Sequence, residues 1–266
     1  MSVACFGATL AYAGTAYHGF QRQAGETPTI QRMLERALSQ LGAADPTVRA
    51  AGRTDRGVHA IGQVISFAIA WRHEDDELLR ALNAQLPPDI ALQQLWRVEG
   101  ERFHPRFDAR SRRYRYRLLL AAQRQPLGEA YAWRLRPPLD EGAMQDAARL
   151  LIGEHDFASF GTPPQGESTV REVYTSEWSG EGRLLGRILT YSVEANGFLQ
   201  HMVRRIVSAL VAVGRGQRSL AYIAEALRVA KGGAQRGLIS QLAPPQGLFL
   251  EAVRYDAGRV PAWVGG

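Results

Sequence analysis

One aspartate lies between two arginines in a glycine-bracketed segment, and it is the first candidate for chemistry. Residues 51–60 read AGRTDRGVHA and place Asp55 between Arg53 and Arg56. Nearby cations favour the ionised form of a carboxylate, which suits a nucleophile or an electrostatic stabiliser better than a general acid. The bracketing glycines allow a ligand to approach the backbone, or a positive φ. An ordinary tight turn with a solvated ion pair is the alternative interpretation.

Residues 102–117 (RFHPRFDARSRRYRYR) form a second candidate segment, with seven arginines and one acid. In a strand that begins at Ser111, alternate side chains face opposite sides. One face then carries Arg113, Arg115 and Arg117, and the other carries Tyr114, Tyr116 and Leu118. An arginine face does not form a core, so it is exposed or covered by an anion, and the phosphate backbone of a nucleic acid is a natural one. The tyrosines either pack in a core or stack on a base.

An apolar stripe predicts a helix over residues 198–214 (FLQHMVRRIVSALVAVG), with several polar residues off the stripe. His201 and Arg204 are one helical turn apart and could face the same cleft. Arg204 could pair with a buried carboxylate or with substrate phosphate. A solvated basic face is the alternative interpretation.

Other catalytic patterns are absent from the sequence. The six histidines include no HExxH pair, and Cys5 is the only cysteine, so the sequence predicts no metal site and no disulfide. It has no phosphate-binding loop of the form GxxxxGK[ST], no GxGxxG after a strand and no GxSxG motif.

The composition is that of a globular protein with a basic excess. The 266 residues allow one large domain or two medium ones, and the formal net charge is +6. Arginine makes up 31 of the 32 basic residues, and it binds phosphates and stacks on bases better than lysine does. The charge favours an acidic partner such as nucleic acid, although it could simply aid solubility. A single cysteine, no apolar run long enough to cross a membrane and no signal-peptide pattern fit the cytoplasm.

Hydrophobic periodicity predicts two similar successions of elements. In the first half, the predicted strands are 5–12, 47–51, 58–68 and 90–98, and the helices are 27–41 and 74–84. In the second half, the predicted strands are 111–120, 170–178, 186–194 and 248–255, and the helices are 140–152, 198–214 and 219–230. Both give the ferredoxin-like order βαββαβ, the second with one extra helix. We therefore expect an α+β protein of two ferredoxin-like halves, with antiparallel sheets and helices packed on them. The predicted domains are 1–105 and 106–255, followed by a frayed tail, 256–266.

The segment AGRTDRGVHA resembles the catalytic motif of the TruA family of tRNA pseudouridine synthases. Further segments are similar to that family in the same order: AYAGTAYHGFQRQ, FHPRFDARSRRYRY, GEHDFASF, TVREV, ANGFLQHMVRRIV and APPQGLFLEAV. Such a series along most of the chain is far more specific than any one motif. Arg56 is a departure, because many bacterial members of the family have alanine there.

The resemblance implies a role for several residues. Asp55 corresponds to the essential aspartate, Arg204 to the arginine that pairs with it, and Tyr114 to the tyrosine that lies against the target uracil. Arg53 corresponds to an arginine that handles the flipped nucleotide. The residues expected to contact substrate are Tyr114, Arg53, Arg56, Gln21, Arg22, Arg113 and His201. Since these residues come from both halves, we expect the active site in a cleft between them.

The implied activity is isomerisation of uridine to pseudouridine in the anticodon stem-loop of tRNA, at positions 38, 39 and 40. The resemblance also implies a homodimer, no cofactor and no metal. A carboxylate could attack C1′, add to C6 or remove a proton from C2′, and the sequence leaves these routes open.

Two alternative functions for the chain are a catalytically silent RNA-binding protein and a carboxylate-dependent hydrolase. The first has no use for Asp55, and the second normally needs another carboxylate or a metal nearby.

Overall fold

The computed structural model describes residues 3–98, 103–163, 168–183, 186–230 and 239–264. In chain order the strands are β1 (Ala4–Tyr12), β2 (Arg49–Ala50), β3 (His59–Ile69), β4 (Ile90–Arg97), β5 (Ala109–Leu120), β6 (Trp133–Leu135), β7 (Gly153–Asp156), β8 (Val170–Arg183), β9 (Gly186–Ala195) and β10 (Leu248–Tyr255). The α-helices are α1 (Ile30–Gln40), α2 (Asp75–Gln85), α3 (Pro126–Glu129), α4 (Glu141–Arg149), α5 (Met202–Gly214) and α6 (Leu220–Ala230). Helices and mostly antiparallel strands confirm the predicted α+β class.

The chain divides into two compact units, and the first has the predicted βαββαβ order from β1 to β4. This unit comprises Met1–Arg112 and Phe249–Gly266. In its sheet, β1 pairs antiparallel with both β3 and β4, and β2 pairs with β3. Helix α1 begins after Thr29, whose side chain accepts a hydrogen bond from the Arg32 backbone N–H and so caps the helix.

The second unit, Arg113–Leu248, contains strands in the order β5, β9, β8 and β7. Strands β8 and β9 form a long antiparallel hairpin. Both strands were predicted, but β8 extends five residues beyond its predicted end at residue 178. Asp140 caps α4 by accepting a hydrogen bond from the Ala143 N–H at 2.8 Å. The short elements α3, β6 and β7 were not predicted, because three or four residues are too few to show a periodicity.

Helix α5 starts later than the apolar stripe suggests. Leu199 is buried, like the helical residues that follow it, but the backbone of His201 is left-handed, with φ of 66°. A left-handed residue cannot continue an α-helix, so the helix begins at Met202. The prediction of a helix from residue 198 is therefore wrong at its start.

The end of the chain groups with the first unit and not with the second half, where residues 106–255 were expected to form one domain. Strand β10 pairs in parallel with β3, with Phe249 opposite His59. The expected tail also packs where it is described: the Trp263 ring contacts Trp96 edge-on at 5.4 Å, and Val264 is buried. No α-helix in the described ranges combines the length and apolarity that a membrane span requires.

Candidate active site

Asp55 lies in the loop between β2 and β3, and backbone hydrogen bonds hold both ends of that loop. The Ala51 N–H donates to the Val64 carbonyl at 2.9 Å, and the Val58 N–H donates to the Asp55 carbonyl at 3.1 Å. Gly57 has φ of 78°, a conformation that favours glycine. The loop thus keeps the half-buried Asp55 in a defined place.

Two side chains fix the start of the Asp55 loop. The fully buried Gln63 donates through Nε2 to the Gly52 carbonyl at 2.8 Å and accepts from the Gly52 N–H at 3.3 Å. Arg112 donates through Nη2 to the Ala51 carbonyl at 3.1 Å. Neither contact is predictable from the sequence, since they join positions 11 and 61 residues apart.

The segment before α1 packs against the middle of the Asp55 loop. The Phe20 N–H donates to the Thr54 carbonyl at 3.0 Å, and the hydroxyls of Tyr12 and Thr54 lie 2.8 Å apart. Gly19 has φ of 92°, and a Cβ there would lie 2.8 Å from the Thr54 oxygen. Glycine is therefore required at this approach.

The structure brings the predicted first-half residues into neighbouring segments. Arg53 and Arg56 are exposed on either side of Asp55, and Gln21 is exposed just after Phe20. These positions leave the arginines and Gln21 accessible to a ligand, and substrate contact remains a prediction for each.

Arg22 has a structural partner. Its guanidinium donates to Glu35 at 3.0 Å, and its backbone N–H donates to Gln31 at 2.9 Å. Glu35 is buried on α1, so Arg22 neutralises a carboxylate that would otherwise be costly to bury. The predicted substrate contact of Arg22 is untested, and the ion pair gives this residue a second role.

On β5 the predicted alternation is confirmed. Tyr114, Tyr116 and Leu118 are buried, whereas the arginines between them are only half-buried. The Tyr114 ring meets the Phe198 ring edge-on, with 5.0 Å between centroids. Phe198 is the first residue of the predicted helix 198–214 and belongs to the motif ANGFLQHMVRRIV, but its contact with Tyr114 was not predicted.

Arg113 meets an anion from within the protein. Its Nε and Nη2 donate to one carboxylate oxygen of Glu194 on β9, at 3.1 and 2.9 Å. Glu194 is 7% exposed. The expectation that an anion covers the arginine face is thus met at this residue by a carboxylate, and its contact with phosphate remains a prediction.

The APPQG segment, residues 243–247, is hydrogen-bonded to Tyr116 and Arg204. The Tyr116 hydroxyl donates to the Pro244 carbonyl at 2.8 Å, and burial raises the pKa of Tyr116 far above its ordinary value, so the phenol stays protonated. Arg204 donates through Nε to the Ala243 carbonyl at 2.7 Å, and its own carbonyl accepts from the Ala243 N–H at 3.2 Å. A Cβ at Gly247 would lie 2.7 Å from the Tyr116 ring. The APPQG segment therefore positions Arg204. No local sequence pattern predicts this contact, although Arg204 itself was predicted as a site residue.

His201 is not part of the helix that carries Arg204, although a helical spacing of one turn was the reason to expect both side chains in the same cleft. It precedes α5 in a left-handed conformation, so the one-turn spacing does not apply. The next arginine, Arg205, donates to the Phe160 carbonyl at 3.3 Å, and burial together with Arg204 lowers the pKa of Arg205. Within the described ranges, no group of three or more His, Cys, Asp or Glu side chains could hold a metal ion.

Comparison with known proteins gives a consistent result. A family model described as tRNA pseudouridine synthase matches residues 8–108 and 147–256. Proteins named tRNA pseudouridine synthase A are similar to the chain. Those of Geobacillus sp. (strain WCH70) and Myxococcus xanthus are 39% and 40% identical, over 93% and 94% of this chain and 97% and 91% of their own lengths. The Pseudomonas aeruginosa protein is 39% identical over 92% of this chain and 83% of its own length. Among solved structures, a chain in the crystal structure of a Cbf5-Nop10-Gar1 complex matches with a TM-score of 0.31 and 14% identity, over 77% of this chain and 45% of that chain, a similarity too low to support a conclusion.

Proposed function

Because the chain belongs to the tRNA pseudouridine synthase family, whose members are isomerases, we propose that it acts on uridines 38, 39 and 40 of the tRNA anticodon stem-loop with Asp55 as its essential carboxylate. The observation that carries this proposal is the Asp55 loop. Hydrogen bonds from Gln63 and Arg112 hold its start, and arginines lie on both sides of a half-buried carboxylate. Phosphate binding alone gives no reason to hold a carboxylate in this position.

In the proposed isomerisation, the bond between the base and C1′ of the ribose changes from N1 to C5 of the base. The N1–C1′ bond of uridine breaks, the base turns, a C5–C1′ bond forms, and the proton on C5 is lost while N1 gains one. The target nucleotide must first leave its stack, at a cost of a few kcal/mol. In this proposal Arg53 and Arg56 hold phosphates while Asp55 acts on the ribose or the base, by one of the three routes open to a carboxylate.

We also propose that Tyr114 and Arg204 act on the same nucleotide as Asp55. The edge contact with Phe198 fixes the Tyr114 ring, which can shield a base from water. The hydrogen bond to Ala243 orients the Arg204 guanidinium, whose permanent positive charge suits an anionic partner. A homodimer in the cytoplasm, where tRNA is found, completes the proposal, and sedimentation equilibrium would determine the oligomeric state.

The decisive experiment uses purified protein and an unmodified tRNA transcript in buffer with EDTA. Pseudouridine is mapped by carbodiimide treatment and reverse-transcription stops. We expect stops in the anticodon arm with the wild type and none with Asp55→Asn, while both bind tRNA equally well. Asp45→Asn is the matched control, because Asp45 is exposed and caps a turn by accepting a hydrogen bond from the Thr47 N–H.

Two outcomes would contradict the proposal. Activity of Asp55→Asn within tenfold of the wild type would remove Asp55 from the chemistry. Stops that lie outside the anticodon arm would refute the proposed positions while leaving the isomerase activity in place.

A further inference from the structure

Phe107 presents its ring to solvent in the turn that precedes β5. It is 74% exposed, against 44–45% for the other exposed aromatic side chains, Tyr131, Tyr174 and Trp263. Single exposed apolar side chains are common on protein surfaces, so the groups around this ring decide what it can bind. The proposed isomerisation does not use Phe107.

The turn that carries Phe107 is closely hydrogen-bonded. His104 donates its N–H to the Asp108 carboxylate at 2.9 Å, and the Asp108 N–H donates to the His104 carbonyl at 3.1 Å. The His104 Nδ1 accepts from the N–H groups of Arg106 and Phe107 at 3.2 and 3.3 Å. Burial and the nearby Arg49 lower the pKa of His104, which favours the neutral ring that this acceptor role requires. These hydrogen bonds hold the backbone of the turn that presents the exposed Phe107 ring.

Two neighbours give this ring the character of a stacking surface. The His104 ring lies 4.3 Å from the Phe107 ring, tilted by 33°. The Arg106 guanidinium lies 5.6 Å from the centre of the Phe107 ring. Proteins bind single-stranded nucleic acid with this combination of aromatic faces and arginine.

One side chain also ties the turn to the Asp55 loop. The Arg112 Nη2 donates to the Arg106 carbonyl at 2.5 Å and to the Ala51 carbonyl at 3.1 Å. Ala51 begins the Asp55 loop, so the exposed ring lies in a turn adjacent to that loop.

We propose that Phe107, supported by His104 and Arg106, is a stacking platform for an unpaired base of the tRNA substrate. The inference rests on the proposed function, because a uridine that leaves its stack also exposes its neighbours. The positive charge of Arg49 and Arg106 near the ring favours RNA over a second copy of the chain, which would bring the same charges together.

The test compares Phe107→Ala with Phe107→Trp, which keeps an aromatic face. An unmodified tRNA transcript is the probe, and Kd, KM and kcat are measured at several salt concentrations. We expect Phe107→Ala to raise Kd and KM about tenfold, with kcat and the salt dependence of Kd unchanged because no phosphate contact is lost. Phe107→Trp should remain within about twofold of the wild type. Leu127→Ala, at a position 94% exposed, is the control and should change nothing.

Wild-type Kd and KM in Phe107→Ala would overturn the platform, and the proposed activity would stand because turnover continues. Dissociation of an oligomer by Phe107→Ala in sedimentation, with tRNA affinity retained, would instead assign the ring to a contact between copies. If the wild type made no pseudouridine, the Kd comparison would still test the platform separately from the proposed function.

Discussion

At the scale of single residues, Arg113 pairs with Glu194 and is predicted to contact tRNA phosphate as well. A double variant distinguishes these two roles. Removing Arg113 takes from the buried Glu194 carboxylate an ion-pair partner that donates two hydrogen bonds to one of its oxygens. We expect Arg113→Ala to lower the free energy of unfolding by about 2 kcal/mol, somewhat less than for a fully buried pair because Arg113 is 30% exposed. The double variant Arg113→Ala/Glu194→Gln should recover about half of that loss.

Urea unfolding of the two variants provides the stability measurement, and tRNA binding provides the functional one. If Arg113 also contacts phosphate, the double variant will be stable and will still bind tRNA more weakly, with a salt slope lower by about one. Recovered stability together with the wild-type salt slope would assign Arg113 to the pair with Glu194 alone.

The sequence predicted single residues well where their signal was local. The alternation along β5 predicted that Tyr114 and Tyr116 share the face opposite the arginines, and the structure buries both of them on that face. The partners of these residues were not predictable, because Arg113 and Glu194 are 81 residues apart and Arg204 and Ala243 are 39 apart. Such pairs depend on strand order and helix packing, which one sequence does not reveal.

At the scale of elements, strand β5 supports the Asp55 loop through Arg112. This side chain bridges the Ala51 and Arg106 carbonyls, so its loss should let the start of the loop move. We expect Arg112→Ala to lower kcat about ten- to a hundredfold, because small displacements of reacting groups carry penalties of that size. The Kd for tRNA should change little, and Arg112→Lys should give an intermediate kcat, since it keeps the charge but loses the two-pronged geometry.

Arg110→Ala is the matched control on the same strand. Arg110 pairs with Asp256 at the surface, where both side chains are more than half exposed, and such pairs contribute little. Single-turnover kinetics with the enzyme in saturating excess over tRNA would measure the rate of the chemical step without product release. Equal losses for the Arg110 and Arg112 variants would show that general damage to β5, and not the link to Ala51, lowers the rate.

The boundaries of elements were less predictable than their existence. Periodicity identified α1 and α2 to within three residues at each end, because each helix buries one apolar face. It placed the start of α5 four residues too early, because Leu199 is buried without being helical. Burial alone does not distinguish these two cases. Histidine adopts the left-handed backbone more often than most non-glycine residues, but too rarely for the residue type to predict it at one position.

At the scale of the whole molecule, element order predicted two similar halves but not how the last strand pairs. Strand β10 completes the expected order of the second half, yet it lies beside β3 in the first unit. The pairing of β10 with residues nearly two hundred positions earlier is a tertiary contact, and hydrophobic periodicity predicts strands but not which strands pair. The same limit applies to the formal charge of +6, which does not show where the charge acts.

The salt dependence of tRNA binding tests where that charge acts. Each phosphate contact releases counterions, so the loss of two contacts should lower the slope of log Kd against log salt concentration by about 1.5. We expect this change in Arg53→Ala/Arg56→Ala, because both arginines are exposed beside Asp55. Arg187→Ala is the control: two hydrogen bonds of 2.8 and 2.9 Å join Arg187 to Glu141, and the hydrogen bonding to Glu141 raises the pKa of Arg187.

Filter binding between 50 and 300 mM salt would measure both slopes. Since the Arg187 charge is already balanced by a carboxylate, its removal should leave the slope unchanged. An unchanged slope in the Arg53/Arg56 variant would mean that these cations are solvated and do not meet phosphate. Asp55 would then act beside charges that influence its environment but do not hold the RNA, and the phosphate contacts would have to come from other arginines.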